Sequence, residues 1–314
     1  MRATSRHSWG CGLTVVLAVC CYARDAAAVN PLRDPAAKTG AARVGASGPA
    51  ATAPAPELPR LTADQIAQRN AQARGGLAAW RSLNSIQFQG QLDAGGTRNT
   101  RLPFTLQMRR PHDQRLAIEF QGQTAVQVYD GQSGWKVRPF LNRYDVEPFS
   151  DEEKQRIARQ DDLDGPLIDY AAKGSQVELE GTEMVEGRAN YRLKVTRKDG
   201  YARHVWVDGT TFLETKIEGN PRRLDGRMHA VENYLRDYRQ VSGLMIPYTS
   251  ETRVEGVPQT RKMTIDKVVL SPQFDDRLFA RPIVAAGRGS AQAQGGVAAT
   301  STAGSAMASA GPSQ

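Results

Sequence analysis

The feature that most constrains the fold is an alternation of apolar and polar residues within Arg109–Pro139. Apolar side chains occupy every second position in Leu116–Phe120, in Val126–Val128 and in Trp135–Val137. A period of two with one polar face is typical of an antiparallel strand that packs against a core on one side. The turn pair Asp130–Gly131 separates two of these runs. This stretch therefore predicts the middle of a β-meander.

The same alternation recurs along most of the chain and predicts roughly ten to twelve strands. Two capping boxes, Thr62–Gln65 and Ser150–Glu153, predict one helix before the first strand and another in the middle of the chain. A sheet with this many strands rarely stays flat, so it curls and acquires a concave face. We expect one long, strongly curved antiparallel sheet whose few helices cover that face.

Residues 1–28 have the layout of a secretory signal peptide. Arg2 and Arg6 precede an apolar run over residues 11–23, and small residues at 26–28 form a cleavage motif. The run is too short for a membrane-spanning helix, which needs about 20 apolar residues. We therefore expect an exported protein that resides in the periplasm.

All three cysteines lie inside this leader, so the mature protein is expected to have no disulfide and no thiol chemistry. One alternative stays open. Acylation of Cys20 or Cys21 by the lipoprotein pathway would give a membrane-anchored protein, because residues 17–20 resemble the acylation motif. Val19 fits that motif poorly.

Two low-complexity segments flank a single predicted domain. Residues 29–59 are rich in Ala, Pro and Gly and predict a disordered linker, and residues 283–314 predict a disordered tail. Residues 60–282 remain, which is enough for one domain with a sizeable core. Of the net charge of +8, the leader carries +2 and the linker and tail +1 each, which leaves +4 for the domain. This mildly basic balance is compatible with an anionic membrane surface or an acidic partner.

Sequence motifs for catalysis and metal binding are missing. His112, His204 and His229 are isolated, without HExxH or another paired metal spacing. Residues 161–165 hint at a calcium loop but lack the closing Glu at the twelfth position, which favours a helix end. The sequence therefore predicts no enzyme, no metal and no cofactor. Dibasic pairs near strand ends come without a nucleic-acid motif, so no nucleic acid is expected as a partner.

What remains is binding by an apolar concavity. A curled sheet of this size has more apolar inner surface than two or three short helices cover. Large aromatic and flexible side chains offer an adaptable surface for lipid as a set, although each of them taken alone is better explained as ordinary core. The candidates for the lipid cavity are Trp80, Phe88, Phe104, Leu106, Met108, Ile118, Phe120, Val128, Trp135, Leu193, Val195 and Tyr234.

A short set of residues also carries a family resemblance. Arg110–Pro111 ends an early strand, and downstream the turn Asp130–Gly131 is followed by Trp135 and Pro139. With a leading helix and a mid-chain helix, this arrangement resembles the LolA/LolB-like family of periplasmic outer-membrane lipoprotein carriers, whose fold is shared by RseB-type regulators. The resemblance covers most of residues 60–282.

The resemblance implies a mainly β fold with a few helices, in which the curved antiparallel sheet forms an open, incomplete β-barrel and the helices cover its concave face. It implies a periplasmic binding protein that holds lipoprotein acyl chains or other lipids in outer-membrane lipoprotein sorting. Its partners would be inner-membrane donor and outer-membrane acceptor proteins. The alternative is a periplasmic sensor or regulatory module that uses the same fold to bind a partner protein. Arg110 takes the role of a lid latch, with Arg109 as the alternative register.

Overall fold

The computed structural model describes residues 57–93 and 101–284. The predicted leader with its cysteines lies outside the described residues, as do most of the predicted linker and nearly all of the predicted tail. None of the helices in the described part of the chain is long and apolar enough to cross a membrane.

Three α-helices are present in these residues: α1 (Ala63–Ala73), α2 (Leu77–Ser82) and α3 (Asp151–Ala158). Both predicted capping boxes are confirmed. The hydroxyl of Thr62 accepts a hydrogen bond from the backbone N–H of Gln65, and the Gln65 side chain accepts one from the Thr62 N–H. Ser150 and Glu153 form the same reciprocal pair at the start of α3. Each box satisfies two N–H groups that a helix start would otherwise leave without partners.

The described residues contain fifteen strands, more than the ten to twelve predicted. One reason is that β6 is too polar to show alternation, and another is that one predicted strand is broken at Ala230. The strands are β1 (Ser85–Asp93), β2 (Arg101–Arg109), β3 (Asp113–Phe120), β4 (Gln123–Asp130), β5 (Gly134–Arg138), β6 (Arg143–Pro148), β7 (Gln176–Val185), β8 (Arg188–Thr196), β9 (Ala202–Asp208), β10 (Glu214–Glu218), β11 (Arg222–Leu224), β12 (Arg227–His229), β13 (Val231–Val241), β14 (Leu244–Val254) and β15 (Val257–Leu270).

Thirteen strands form one antiparallel sheet in the order β6-β5-β4-β3-β2-β1-β15-β14-β13-β10-β9-β8-β7. The first and the last of the described strands, β1 and β15, pair at its centre. The two edges, β6 and β7, are consecutive along the chain and are connected by residues 149–175, which include α3. β11 and β12 form a separate ribbon. The sheet is not closed into a barrel, so the predicted open half-barrel is confirmed.

Cross-strand registers define the two faces of the sheet. Ile86, Phe88 and Leu92 of β1 lie opposite Met108, Leu106 and Leu102 of β2. Directly paired residues in an antiparallel sheet share a face, and neighbours along a strand take opposite faces. The predicted alternation therefore places these apolar side chains together on one face.

Each helix covers a different part of that concave face. Ile66 of α1 packs on Leu193 of β8, and Trp80 of α2 packs on Ile86 and its neighbours. Ile157 of α3 packs with Tyr129 and Phe149. Ile66 and Trp80 are fully buried, and burial of a side chain of this kind stabilises the fold by about 1.5–3 kcal/mol. Between these contacts the concave face holds a cavity.

Candidate functional site

A cavity of about 240 Å³ lies on the concave face. One wall is apolar and comes from the neighbouring strands β2, β1 and β15 at the centre of the sheet. Phe88 of β1 pairs with Leu106 of β2, and Gly90 stands between Phe104 and Ile265 in the register. The side chains of this wall are Phe88, Phe104, Leu106, Met108, Met263 and Ile265.

The chain that follows α3 contributes another wall. We call residues 159–166 the covering segment. Leu163 and Pro166 give it an apolar part, and Leu163 packs in the same cluster as Trp80. Gln160, Asp161 and Asp162 give it a polar part that also borders the cavity. The covering segment has no regular secondary structure, so side chains from the rest of the fold must hold it in place.

Arg110 holds the covering segment from the end of β2. Its guanidinium forms ion pairs with Asp162 and with Asp164, the latter with an Nη2–Oδ2 distance of 2.8 Å. It also donates to the carbonyl oxygens of Leu83 (3.0 Å) and Trp80 (3.3 Å). Burial alone lowers the pKa of Arg110, but the hydrogen bonds and charges of the two carboxylates raise it above its ordinary value. The location suits the predicted latch, and the latch role itself stays a prediction.

Two further cations hold the covering segment, one on the other half of the sheet and one in the chain just before β7. Arg203 of β9 pairs with Asp161 at 2.7 Å and donates to the carbonyl of Arg159. Lys173 pairs with Asp164. The carboxylates that hinted at a calcium loop are therefore neutralised by side-chain cations of the chain. Within residues 57–93 and 101–284, no group of three or more His, Cys, Asp or Glu residues is arranged to hold a metal ion.

A buried ion pair forms a further polar part of the cavity wall. Arg74 at the end of α1 contacts Glu214 of β10 at 3.1 Å, with side chains only 8% and 1% exposed. The Tyr238 hydroxyl donates to the backbone oxygen of Glu214 at 2.9 Å, and the Arg74 guanidinium lies 4.3 Å from the centre of the Trp80 ring. Burial, followed by the charge of Glu214, raises the pKa of Tyr238 well above its ordinary value. Tyr238 is therefore neutral and a hydrogen-bond donor at physiological pH.

Five of the twelve predicted cavity residues line the cavity: Trp80, Phe88, Phe104, Leu106 and Met108. Ile118 and Phe120 of β3 lie beside them in the same apolar cluster, which extends away from the cavity. Leu193 and Val195 lie on the concave face under α1, where Ile66 and Leu167 cover them.

Val128 and Trp135 lie on the opposite face of the sheet from the cavity. Leu106 pairs with Leu116, and Leu116 pairs with Gln127, so Gln127 shares the cavity side. Val128 follows Gln127 along β4 and therefore faces the other way, and Trp135 is its direct partner.

Tyr234 is displaced from the cavity for the same reason. Its neighbour Asn233 lines the cavity, and Tyr234 itself packs with Val185 and Trp206 in a separate cluster.

The sequence reasoning missed the part of the wall that comes from the C-terminal strands. Met263 and Ile265 alternate with Thr264, so the signal for a half-buried strand was present. The pairing of β15 with β1, which brings them to the cavity, has no local signal. The polar residues Arg74 and Arg203 were also missed, because nothing in the sequence sets them apart from the chain's other arginines.

Comparison with known proteins gave matches among solved structures alone. No protein-family model and no curated protein matches the sequence. A LolA superfamily protein of Nitrosomonas europaea is 14% identical, with 70% of this chain and 98% of that chain covered and a TM-score of 0.48. A putative outer membrane lipoprotein-sorting protein domain from Vibrio parahaemolyticus is 12% identical, with 68% and 94% covered and a TM-score of 0.48. A DUF1329 family protein from Desulfovibrio piger is 14% identical, with 69% and 97% covered and a TM-score of 0.48. The first two of these structures carry the names of the LolA and lipoprotein-sorting proteins that the sequence resembles.

Proposed function

We propose that this chain is an exported binding protein that holds a lipoprotein acyl chain, or another lipid, in the cavity on its concave face. The observation that carries the proposal is the cavity itself, with its apolar wall from three central strands beside a covering segment held by ion pairs. Export to the periplasm and a role in outer-membrane lipoprotein sorting belong to the same proposal, and no covalent chemistry is part of it.

Burial of apolar surface supplies the driving force for uptake. Each buried methylene group contributes about 0.8 kcal/mol, so about ten groups of an acyl chain contribute about 8 kcal/mol before the entropic cost of association. Phe88 and Leu106 supply rigid surface, while Met108 and Met263 are flexible enough to fit chains of different shape. Release then requires an acceptor with a more apolar site.

The test fills the cavity with a larger side chain and compares it with a control on the other face. Leu106 lies in the apolar wall, and Thr105 beside it faces the opposite side of β2. We expect Leu106→Trp to weaken uptake of a fluorescent fatty acid at least about tenfold, because the indole occupies the space of the chain. Thr105→Trp should retain the parent affinity.

Native mass spectrometry of protein purified from a bacterial periplasm adds an independent measurement. A bound lipid in the parent, lost in Leu106→Trp, supports the proposal. The proposal fails if the parent protein carries no lipid and takes up no fluorescent fatty acid.

A partner-binding module is the second candidate, and β7 is the observation that favours it. This ten-residue strand is an edge of the main sheet, and Leu179 and Met184 on it are 38% and 45% exposed. An extended segment of another protein adds to such an edge through backbone hydrogen bonds. A stable complex with an inner-membrane protein domain that survives delipidation would favour this candidate over the lipid carrier.

A further inference from the structure

The cavity is amphipathic. Opposite the apolar wall, polar side chains come from the covering segment and from α1 and β9, and they include Gln160, Arg74 and Arg203. A pure hydrocarbon ligand would contact the apolar wall but would offer nothing to these groups. The polar wall therefore indicates which polar group the ligand has, a point that the proposed function leaves open.

Gln160 is the most unusual member of this wall. Both polar atoms of its side-chain amide, Nε2 and Oε1, are buried and have no hydrogen-bond partner among the described residues. The backbone is fixed, because the Gln160 N–H donates to Ile157 at 3.0 Å and the Gln160 carbonyl accepts from Arg197 at 3.3 Å. The amide is thus held at the cavity by an anchored backbone.

Further buried donors without a partner border the same cavity. The Nε atoms of Arg74 and Arg203 have no acceptor in the described residues, and both residues are 7% exposed. The Ser250 hydroxyl on β14 is buried and unpartnered as well. Buried polar groups are nearly always paired in folded proteins, and a group left unpaired destabilises the fold. Several of them around one cavity indicate a shared polar partner.

The balance of donors and acceptors defines that partner. Gln160 offers an NH₂ group that donates and a carbonyl oxygen that accepts, and the arginines offer donors alone. The nearby charges largely cancel, because Asp161 and Glu214 pair with Arg203 and Arg74. A neutral, acceptor-bearing group suits this environment better than a dianion.

We propose that the cavity selects acyl compounds whose carbonyl group lies against Gln160. The Gln160 Nε2–H donates to the acyl carbonyl oxygen. In a primary amide, the N–H on the same side as the carbonyl oxygen also donates to Oε1, so this class of acyl compound satisfies both atoms. The inference rests on the proposed function, since it assigns the polar end of the same ligand.

The experiment compares the affinities of two ligands in the parent protein and in a variant, as in a double-mutant cycle. Tetradecanamide, a primary amide, and an alkane with the same number of heavy atoms compete with an uncharged fluorescent dye for the cavity of the full chain. The two ligands differ in hydrophobicity, so the informative quantity is the amide-to-alkane affinity ratio and how a substitution changes it. We expect Gln160→Met to lower this ratio about tenfold relative to the parent.

Gln127→Met is the matched control. Gln127 is also buried and has an unpartnered Oε1, and it does not line the cavity. The same chemical change there should leave the affinity ratio as in the parent. Gln160→Glu is a second variant, which keeps the size and in its ionised form accepts hydrogen bonds but donates none, and it should lower the ratio as well. Thermal unfolding of each variant shows that it is folded.

The outcomes separate the two proposals. An unchanged ratio in both Gln160 variants overturns the carbonyl assignment, as does an equal fall in Gln127→Met. Failure of both ligands to displace the dye from the parent protein counts against lipid binding itself.

Discussion

Replacement of Arg110 by leucine tests whether one side chain keeps the covering segment closed. Arg110 is 24% exposed, and its guanidinium bridges Asp162 and Asp164 while it donates to two carbonyl oxygens at the end of α2. A leucine side chain at this position retains an apolar contact but makes none of these hydrogen bonds. The covering segment should therefore open more often, while the rest of the sheet remains folded.

The expected change in the free energy of opening depends on the contacts that Asp162 and Asp164 retain when Arg110 is replaced. A hydrogen bond to a charged group contributes about 1.5–3 kcal/mol. Asp164 is 3% exposed but retains Lys173, and Asp162 is 16% exposed and regains water when the segment opens. The closed segment therefore loses less stabilisation than the sum over all the hydrogen bonds of Arg110. We expect the free energy of opening to fall by about 2–3 kcal/mol. This corresponds to a rise of about 30-fold to 150-fold in the open population.

Hydrogen exchange measures that population at the backbone amides of the covering segment. The Gln160 and Gly165 N–H groups donate to Ile157 and Asp162, both at 3.0 Å, so both report on closure. Their exchange should accelerate by the factor above, and bound lipid should be retained for a shorter time.

Arg109→Leu is the control for the neighbouring position. Arg109 pairs with Asp113 and Asp276 instead of the covering segment. Equal exchange rates in the two variants, or parent-like lipid retention in Arg110→Leu, would show that Arg110 is no latch.

Two further predictions concern stability. Gly75→Ala should destabilise the fold by about 3 kcal/mol in chemical denaturation, because the backbone φ is +107° and a Cβ would lie 2.3 Å from a carbonyl oxygen. Gly76→Ala should cost about half as much, since its φ is +93° but no atom lies within 4 Å; equal losses would refute the clash. The hydrogen bond from Tyr170 to the Asp64 carboxylate, followed by burial, raises the pKa of Tyr170 from 10.0 to about 12. This contribution to stability is complete below pH 10 and lost as the pH rises to about 12, so Tyr170→Phe should flatten the fall in unfolding free energy over that interval. An unchanged pH profile would contradict it.

Local signals in the sequence were sufficient for the elements and for part of the site. The capping boxes at Thr62 and Ser150 specify hydrogen bonds within four residues, so they survive in any tertiary context. Alternation likewise placed Phe88 and Leu106 on one face, because the period of a strand is a local property.

The remainder depends on contacts between distant residues. Alternation shows that neighbouring residues of a strand lie on opposite faces of the sheet, but it does not show which face is concave. For this reason Val128 was predicted as a cavity residue, although it lies on the opposite face. β6 pairs with β5 through the backbone and has no apolar stripe, so its sequence carries no alternation that would predict it. The polar wall around Gln160 arises where α3 ends above the sheet, and no local pattern encodes that meeting.

The pairing of β1 with β15 has a consequence for the order of folding. Ile86 and Leu270 are partners although more than half of the chain separates them. Without β15, strands β1–β6 on one side and strands β7–β10, β13 and β14 on the other are two incomplete sheets with unprotected edges, connected through the chain around α3. The last of the described strands thus completes the centre of the sheet. Such non-local topology folds slowly, which favours a nascent chain that stays unfolded during synthesis and is vulnerable to aggregation if it is truncated before β15.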